Sequence, residues 1–160
     1  IKVHAKLINE GYKHHIFIIG DGPLRDQLVK QIKEYDVEKT FTLLGYQRNP
    51  YAYMKHCDLF VCSSYSEGFS TAVTEALILG MQVVTTKVSG MIELLGENQN
   101  YGVVVDNNEQ ALFGGIKSVL DKPELRRHYQ KQAKIRSREF LMERTVETVE
   151  KIFTELWEEA

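Results

Sequence analysis

The stretch Ser63-Ser-Tyr-Ser-Glu67-Gly-Phe-Ser-Thr-Ala-Val-Thr-Glu75 decides the fold of this 160-residue chain, because it joins a strand to a helix. Leu59 to Cys62, just before it, is a short apolar run of the kind that forms strands covered on both faces. After Gly68 the pattern opens a helix. A strand, a loop and a helix in this order form the repeating unit of an α/β domain.

The rest of the chain repeats this alternation. Four more short apolar runs predict strands, at residues 15–19, 40–44, 82–86 and 102–105. Helical patterns separate them, at residues 1–10, 24–35, 70–79, 91–95 and 109–120, with a short helical turn at 51–55. The alternation predicts an α/β fold, a doubly wound Rossmann-like parallel sheet with helices on both faces and ligands at the carboxyl ends of the strands.

Both ends of the chain carry information about the domain. A doubly wound domain normally begins with a strand, whereas residues 1–10 read as a helix. We therefore expect residues 1–160 to be one N-terminally truncated domain that lacks its first strand. That strand belongs in the middle of the sheet, so we expect a gap or strained pairing between residues 15–19 and 59–62.

From about residue 123 the sequence predicts C-terminal helices, at 124–138 and 143–159, that pack against the sheet. The second of them has one apolar stripe, formed by Val146, Val149, Ile152, Phe153 and Leu156.

The composition excludes several classes of protein. The chain is 43% hydrophobic and 26% charged, as in ordinary globular domains, and its net charge of −2 gives no reason to expect nucleic-acid binding. Its apolar runs are far shorter than the roughly 20 residues of a membrane helix. Cys57 and Cys62 fit no zinc pattern and are typical of a reducing compartment. We expect a cytoplasmic domain, and the spacing of the histidines predicts no metal site.

The C-terminal part is locally basic. The ordinary interpretation is a solvated helix face. The more specific interpretation is electrostatic contact with the acidic inner face of a membrane. The basic residues are Arg126, Arg127, Lys131, Lys134, Arg136 and Arg138.

The loop after residue 62 has the character of a ligand site. Glu67 lies at the carboxyl edge of the predicted sheet, and Gly68 lets the backbone approach a ligand closely. The free N–H groups of residues 69–71 and the helix dipole favour an anion such as a phosphate. Glu75 lies one turn further along, where it can accept hydrogen bonds from hydroxyl groups. Alternatively, Glu67 is a loop or capping residue and Glu75 a solvated helix residue.

A second candidate is the turn Gly20-Asp21-Gly22-Pro23, which follows a predicted strand and precedes a helix. Glycine there permits a tight turn and the helix amides can bind an anion, although a turn of this kind also needs glycine for structural reasons alone. The turn matches neither the GxGxxG pattern nor a P-loop.

Taken in order, these segments resemble the retaining glycosyltransferase family 4, whose members have the two-domain GT-B architecture. The resemblance covers nearly the whole chain, and the spacing of Glu67 and Glu75 is its most specific part. The matching segments are Gly20-Asp-Gly-Pro, Phe41-Thr-Leu-Leu-Gly45, Cys57-Asp-Leu-Phe-Val-Cys-Ser-Ser, Glu67-Gly-Phe-Ser through Glu75-Ala, Gly80-Met-Gln-Val-Val-Thr-Thr, Ser89-Gly-Met-Ile-Glu93 and Tyr101-Gly-Val-Val-Val. One departure is Gln82, where the family usually has proline.

The resemblance implies a donor-binding domain that holds a nucleotide diphosphate sugar. Glu67 would contact the donor sugar near its transferring carbon and would be the catalytic residue, whereas Glu75 would bind the ribose hydroxyls. The amides of Gly68, Phe69, Ser70 and Thr71 would hold the sugar and the diphosphate. Tyr46 would flank the base, and Gly20 and Gly22 would complete the donor site. No metal or cofactor is implied.

The same resemblance implies an enzyme that transfers a sugar to a glycan or lipid-linked acceptor with retention, in the biosynthesis of a surface polysaccharide. The acceptor domain and the Arg and Lys that grip the diphosphate would lie outside this chain, so the isolated fragment would be inactive. Two alternatives remain open at this point: a nucleotide-sugar-binding module without catalysis, and a GT-B-related nucleotide-sugar epimerase.

Overall fold

The computed structural model describes residues 1–158, without the side chains of residues 145, 156 and 158. Strands and helices alternate as predicted, with boundaries within a residue or two of those expected. In chain order the elements are α1 (Lys2–Asn9), β1 (Ile16–Ile19), α2 (Arg25–Glu34), β2 (Phe41–Gly45), α3 (Tyr51–Met54), β3 (Leu59–Cys62), α4 (Thr71–Ile78), β4 (Gln82–Thr86), α5 (Met91–Leu95), β5 (Val103–Val105), α6 (Glu109–Asp121), α7 (Pro123–Arg136), a 3-10 helix (Ser137–Phe140) and α8 (Met142–Glu158).

The strands form two separate parallel sheets. In one, β1 pairs with β2, and in the other the order is β3-β4-β5. Within the described residues no ladder joins β1 to β3, so the predicted gap between these strands is confirmed. The pairings are those of a doubly wound sheet of order 3-2-1-4-5-6 without its central strand.

Helices cover both faces of the larger sheet. All five residues of β4 are buried, and the alternation of side chains along a strand sends Val83 and Val84 to opposite faces. Val83 packs in a core built mainly from α4, α5 and α7. Val84 packs in a second core with α1 and α6. Burial on both faces extends to the polar residues Gln82, Thr85 and Thr86 of this strand.

Helix α1 packs against both sheets. Val3 and Leu7 belong to the core formed with α6 and β4, and Leu7 is fully buried. Ala5, on the same helix, packs instead with Ile32 and Phe41 of the β1–β2 side. Side-chain packing through α1 therefore connects two sheets that share no backbone hydrogen bonds.

The two C-terminal helices behave differently. Helix α7 packs on the core of the larger sheet through Ala133, and Tyr129 of the same helix is also buried. Arg136 at its end donates to the carbonyls of Glu93 and Leu94, with distances of 2.8 and 3.1 Å.

The prediction that the last helix also packs against the sheet is wrong for the stripe residues of α8 whose side chains are described. They are 45 to 68% exposed: Val146, Val149, Ile152 and Phe153. The physical reason is that α1 and α6 on one face, and α4, α5 and α7 on the other, already cover the larger sheet. The side chain of Leu156 and residue 159, which completed the prediction, lie outside the described part of the chain.

Within residues 1–158, no helix combines the length and the apolar composition that crossing a membrane requires.

A buried histidine pair lies where α1 meets the start of the smaller sheet. His4 is 1% exposed, and its Nδ1 lies 2.8 Å from Nε2 of His14 while its Nε2 lies 2.9 Å from the Thr40 hydroxyl. Burial, together with His14, the amino group of Ile1 and His15, lowers the pKa of His4 from 6.5 to about 4. Burial also lowers the pKa of His14.

This pair makes stability depend on pH. Because the folded pKa of His4 is below the unfolded value, its contribution is complete above pH 6.5 and is lost as the pH falls toward 4. Between pH 7 and 4.5 the unfolding free energy of the native chain should fall relative to that of His4→Gln by roughly 2 kcal/mol. Urea melts across this range measure it. The exposed His128→Gln is the control, and its unfolding free energy should change with pH as that of the native chain does. An identical pH dependence of the unfolding free energy in His4→Gln would contradict the prediction.

Candidate functional site

The loop after β3 is held in place by the ends of the next two strands. The carbonyl oxygen of Ser64 accepts a 2.7 Å hydrogen bond from the Thr86 hydroxyl at the end of β4. It also accepts one of 3.3 Å from the side-chain amide of Asn107, which follows β5. Three carboxyl-terminal strand ends thus meet at this loop, which is where doubly wound domains bind ligands.

Glu67 lies in this loop and is half-buried. Its Oε1 accepts a 2.7 Å hydrogen bond from the Ser64 hydroxyl, and Ser64 is itself anchored through its carbonyl. One carboxylate oxygen is therefore fixed by the protein. The rest of the carboxylate keeps acceptor capacity for a ligand hydroxyl.

Within the described residues, the amino end of α4 carries backbone amides without intramolecular acceptors. Ser70 is the N-cap, and its hydroxyl accepts from the Val73 N–H at 3.5 Å while Thr71 begins the helix. In the described part of the chain, no acceptor is recorded for the N–H groups of residues 68–72. Gly68, Phe69 and Thr71 are exposed, so these amides are accessible. Free amides and the helix dipole together favour a phosphate here.

Gly90 fixes the backbone behind these amides. Its φ is +77°, and a Cβ at this position would lie 2.1 Å from the carbonyl oxygen of Gly68 and 3.5 Å from the Cα of Phe69. The loop before α5 therefore lies directly against the Gly68–Phe69 backbone, and only glycine allows that approach.

Glu75 is half-buried on α4 and accepts a 2.9 Å hydrogen bond from the Tyr51 hydroxyl. This bond, and the negative charge of Glu75, raise the pKa of Tyr51. One oxygen of Glu75 therefore has a protein partner that orients the carboxylate.

A second group of predicted residues lies at the end of the smaller sheet. The N–H of Gly20 donates to the carbonyl of Gly45 at 2.8 Å, which joins the turn after β1 to the end of β2. The N–H of Gly22 donates to the Asp21 side chain at 2.8 Å, and Tyr46 is 78% exposed.

Helix α3 connects the two groups. Tyr51 holds Glu75, while the Tyr53 hydroxyl donates to Gln47 at 3.0 Å and Gln47 in turn donates to the Leu44 carbonyl at 2.9 Å. The structure thus places Glu67 to Glu75 together on the larger sheet and Gly20, Gly22 and Tyr46 together on the smaller one. Among the described residues, no hydrogen bond joins the two groups directly.

Two cations at this edge were not predicted as site residues. Arg25, the first residue of α2, donates to the Leu43 carbonyl at 3.5 Å, and its guanidinium approaches Gly45. Lys87 directly follows β4 and is exposed. A cation at the first position after a strand or its turn is a usable sequence signal for an anion site. Tyr51, Gly90 and Asn107 gave no such signal, because their partners are distant in sequence.

The site is an open surface along the carboxyl edge of both sheets. Free amides at the amino end of α4 lie in the same segment as two oriented carboxylates, and an exposed aromatic ring and two cations lie at the ends of β2 and β4. This arrangement is that of an α/β domain whose edge has groups suited to phosphate and to hydroxyl groups.

The chain belongs to the family described as glycosyl transferases group 1, whose model matches residues 1–136. A relative from Campylobacter jejuni, N-acetylgalactosamine-N,N'-diacetylbacillosaminyl-diphospho-undecaprenol 4-alpha-N-acetylgalactosaminyltransferase, is 39% identical over 127 residues, which cover 78% of this chain and 34% of the relative. A putative teichuronic acid biosynthesis glycosyltransferase from Bacillus subtilis, TuaC, is 35% identical over 100 residues, 61% of this chain and 23% of that protein. This chain therefore spans about a third or less of the length of these two relatives.

Solved structures share the fold at low sequence identity. Sucrose-phosphate synthase from Thermosynechococcus elongatus superposes with a TM-score of 0.82 at 19% identity, over 99% of this chain and 42% of that one. HepE from Anabaena, solved in complex with UDP, gives 0.80 at 21% identity, over 99% and 45%. The predicted family and the GT-B type of α/β fold are both confirmed.

Proposed function

We propose that this chain is the donor-binding part of a retaining glycosyltransferase that transfers a sugar from a nucleotide diphosphate sugar to a glycan or lipid-linked acceptor. The observation that carries the proposal is the row of free amides at residues 68–72, placed between Glu67 and Glu75. These amides suit a diphosphate, and the two carboxylates suit the hydroxyls on either side of it.

Each residue has a role in this proposal. Glu75, oriented by Tyr51, accepts the ribose hydroxyls, and Tyr46 lies beside the base. The amides of Gly68, Phe69, Ser70 and Thr71 hold the sugar and the diphosphate, with Gly20 and Gly22 completing the site. Glu67 holds the donor sugar near its transferring carbon.

Transfer breaks the bond between the sugar carbon and the diphosphate oxygen, so negative charge grows on the leaving diphosphate. Preorganised N–H donors stabilise that charge without reorganisation, which is the largest contribution that such a site makes to catalysis. Arg25 and Lys87 add positive charge at the same edge. The chemistry assigned here requires no metal ion, and the front-face geometry of a retaining reaction leaves Glu67 a hydroxyl acceptor, not a nucleophile.

The setting of the reaction is also part of the proposal. The C. jejuni relative is named for a diphospho-undecaprenol acceptor and the B. subtilis one for teichuronic acid biosynthesis. We place this protein in surface polysaccharide biosynthesis at the cytoplasmic face of the membrane. Because the chain spans about a third of its relatives, we expect the isolated chain to bind nucleotide without transferring sugar.

Titration of the chain with UDP, GDP and ADP tests the site. One of them should bind, and its 2',3'-dideoxy analogue should bind at least tenfold more weakly because Glu75 loses its hydroxyl partners. Tyr51→Phe frees Glu75 and should weaken binding about five- to tenfold, a loss of ~1–1.4 kcal/mol. Isothermal titration calorimetry measures both.

Tyr35→Phe is the matched control, because Tyr35 follows the carboxyl end of α2, the end opposite to Arg25. This variant should bind like the native chain. If no nucleoside diphosphate bound, or if the dideoxy analogue bound equally well, the proposed site would be wrong.

A further inference from the structure

The turn after β2 is closed by one of its own side chains. Nε2 of Gln47 donates to the Leu44 carbonyl at 2.9 Å, so this hydrogen bond spans the turn from its last residue to its first. Gly45, inside the turn, has a φ of +68°, and its carbonyl accepts from the Gly20 N–H at 2.8 Å. Two hydrogen bonds therefore fix the backbone around Tyr46.

Helix α3 holds the side chain that closes this turn. The Tyr53 hydroxyl donates to Oε1 of Gln47 at 3.0 Å. The amide of Gln47 thus accepts at its oxygen and donates at its nitrogen, and its two partners determine its orientation. Loss of the Tyr53 hydroxyl would leave one end of a half-buried amide without its partner, and the turn would lose its link to α3.

The residue that this turn presents has an exposed aromatic ring. Tyr46 is 78% exposed, although the backbone around it is fixed. Stacking of a base on an aromatic side chain tightens binding roughly 5- to 150-fold. A turn that is ordered before the ligand arrives avoids the cost of ordering it on binding, so more of that gain is kept.

The two tyrosines of α3 hold different parts of the site. The Tyr51 hydroxyl donates to Glu75 at 2.9 Å, on the larger sheet, whereas Tyr53 donates to Gln47, on the smaller one. The two hydrogen bonds share no partner. Removal of one hydroxyl therefore frees either the carboxylate or the turn, and it leaves the other in place.

We propose that Tyr53 and Gln47 are positioning residues for the nucleotide base. Tyr53 acts through Gln47, which closes the turn and so keeps the ring of Tyr46 beside the base. This role rests on the proposed function, in which Tyr46 lies beside the base and Glu75 accepts the ribose hydroxyls. It divides the nucleotide between the two tyrosines of α3: Tyr53 supports the contact with the base, and Tyr51 supports the contact with the ribose.

Titration of the whole chain with two probes tests this division. One probe is whichever of UDP, GDP and ADP binds most tightly, and the other is ribose 5-diphosphate, which lacks the base. The base ratio is the affinity for the first probe divided by the affinity for the second, and in the native chain it should be at least tenfold. Calorimetry measures the nucleotide, and NMR titration measures the weaker probe.

The two tyrosine variants should differ in what they lose. Tyr53→Phe should lower the base ratio at least threefold, while its affinity for ribose 5-diphosphate changes less than twofold. Tyr51→Phe removes the same atom from the same helix, but it should weaken both probes alike and keep the base ratio within twofold of native. A purely structural role of Tyr53 would also weaken both probes alike, and that result would overturn the proposal.

A double variant tests whether Tyr53 acts through Gln47. Gln47→Leu removes both hydrogen bonds of the amide and should lower the base ratio at least as much as Tyr53→Phe does. Adding Tyr53→Phe to it should change the ratio less than twofold, because the acceptor of the hydroxyl is already gone. Losses that multiply would contradict this route. Tyr12→Phe, which removes a hydroxyl that donates to Asp121 at the end of α6, is the control and should give native values for both probes.

The titrations separate failure of this proposal from failure of the proposed function. If the native chain bound no nucleoside diphosphate, the donor site would be wrong and the role of Tyr53 would fall with it. If the native chain bound one and Tyr53→Phe kept the native base ratio, only the positioning role would be overturned.

Discussion

Replacing Gly90 with alanine should weaken nucleotide binding roughly 100-fold and lower the unfolding free energy by about 2–4 kcal/mol. The φ of +77° is strained for alanine, and the new Cβ would lie 2.1 Å from the carbonyl oxygen of Gly68. The obstacle is backbone, which cannot rotate away as a flexible side chain does, so the Gly68–Phe69 segment must move. A shift of about 1 Å in such a positioning segment is enough to cost roughly 100-fold.

Gly114→Ala is the matched control for this substitution. Gly114 lies in α6 with nothing within 4 Å of the added Cβ, so alanine should leave nucleotide binding unchanged and stabilise the helix by about 0.5–1 kcal/mol. Calorimetric titration and urea melts of both variants make the comparison. Native affinity in Gly90→Ala would show that this close approach does not position the amides.

Replacing Glu67 with glutamine in the full-length enzyme should reduce transfer about 100- to 1,000-fold, the loss seen when one positioned polar group is removed from a transition-state site. Glutamine can still accept the hydrogen bond from Ser64, so the loop should remain in place. It removes only the charge that holds the donor sugar. The loss should therefore fall on kcat, while the affinity for the free nucleoside diphosphate changes less than threefold.

The exposed Glu97→Gln, in the loop after α5, is the charge-matched control and should transfer at the native rate. Initial-rate kinetics with saturating acceptor give kcat and KM separately. A variant at Glu67 that transfers at the native rate would remove this residue from the mechanism. A variant that loses nucleotide affinity and kcat together would show that Glu67 acts on the loop and not on the sugar.

Periodicity along the chain was sufficient to predict the strands and helices of the fold. Short runs rich in apolar and β-branched residues occur where helices cover both faces, and the gap between β1 and β3 followed from the order of the elements. The packing of α8 was not predictable in the same way. An apolar stripe shows which face of a helix will be buried, but it does not show whether the neighbouring sheet still has free apolar surface.

The local chemistry of the candidate site could be predicted from the sequence. Glu67, Gly68 and Ser70 follow a strand and open a helix, and that local order determines where they lie. Tyr51 and Gly90 were missed because their effects depend on contacts with residues at least 20 positions away. Arg25 had a local signal, its position after the turn that follows β1, but its contact with the end of β2 depends on the pairing of β1 with β2.

In this chain by itself, the break between the two sheets has a consequence for how its two halves respond to a ligand. Gly20, Gly22 and Tyr46 belong to one half and the α4 amides to the other, and α1 and α3 connect the halves through side chains alone. Side-chain packing resists relative motion less than a continuous backbone ladder does. A nucleotide that contacts both halves would therefore hold them together. Part of its binding free energy would then oppose the local opening of the smaller half, and that opening would become slower.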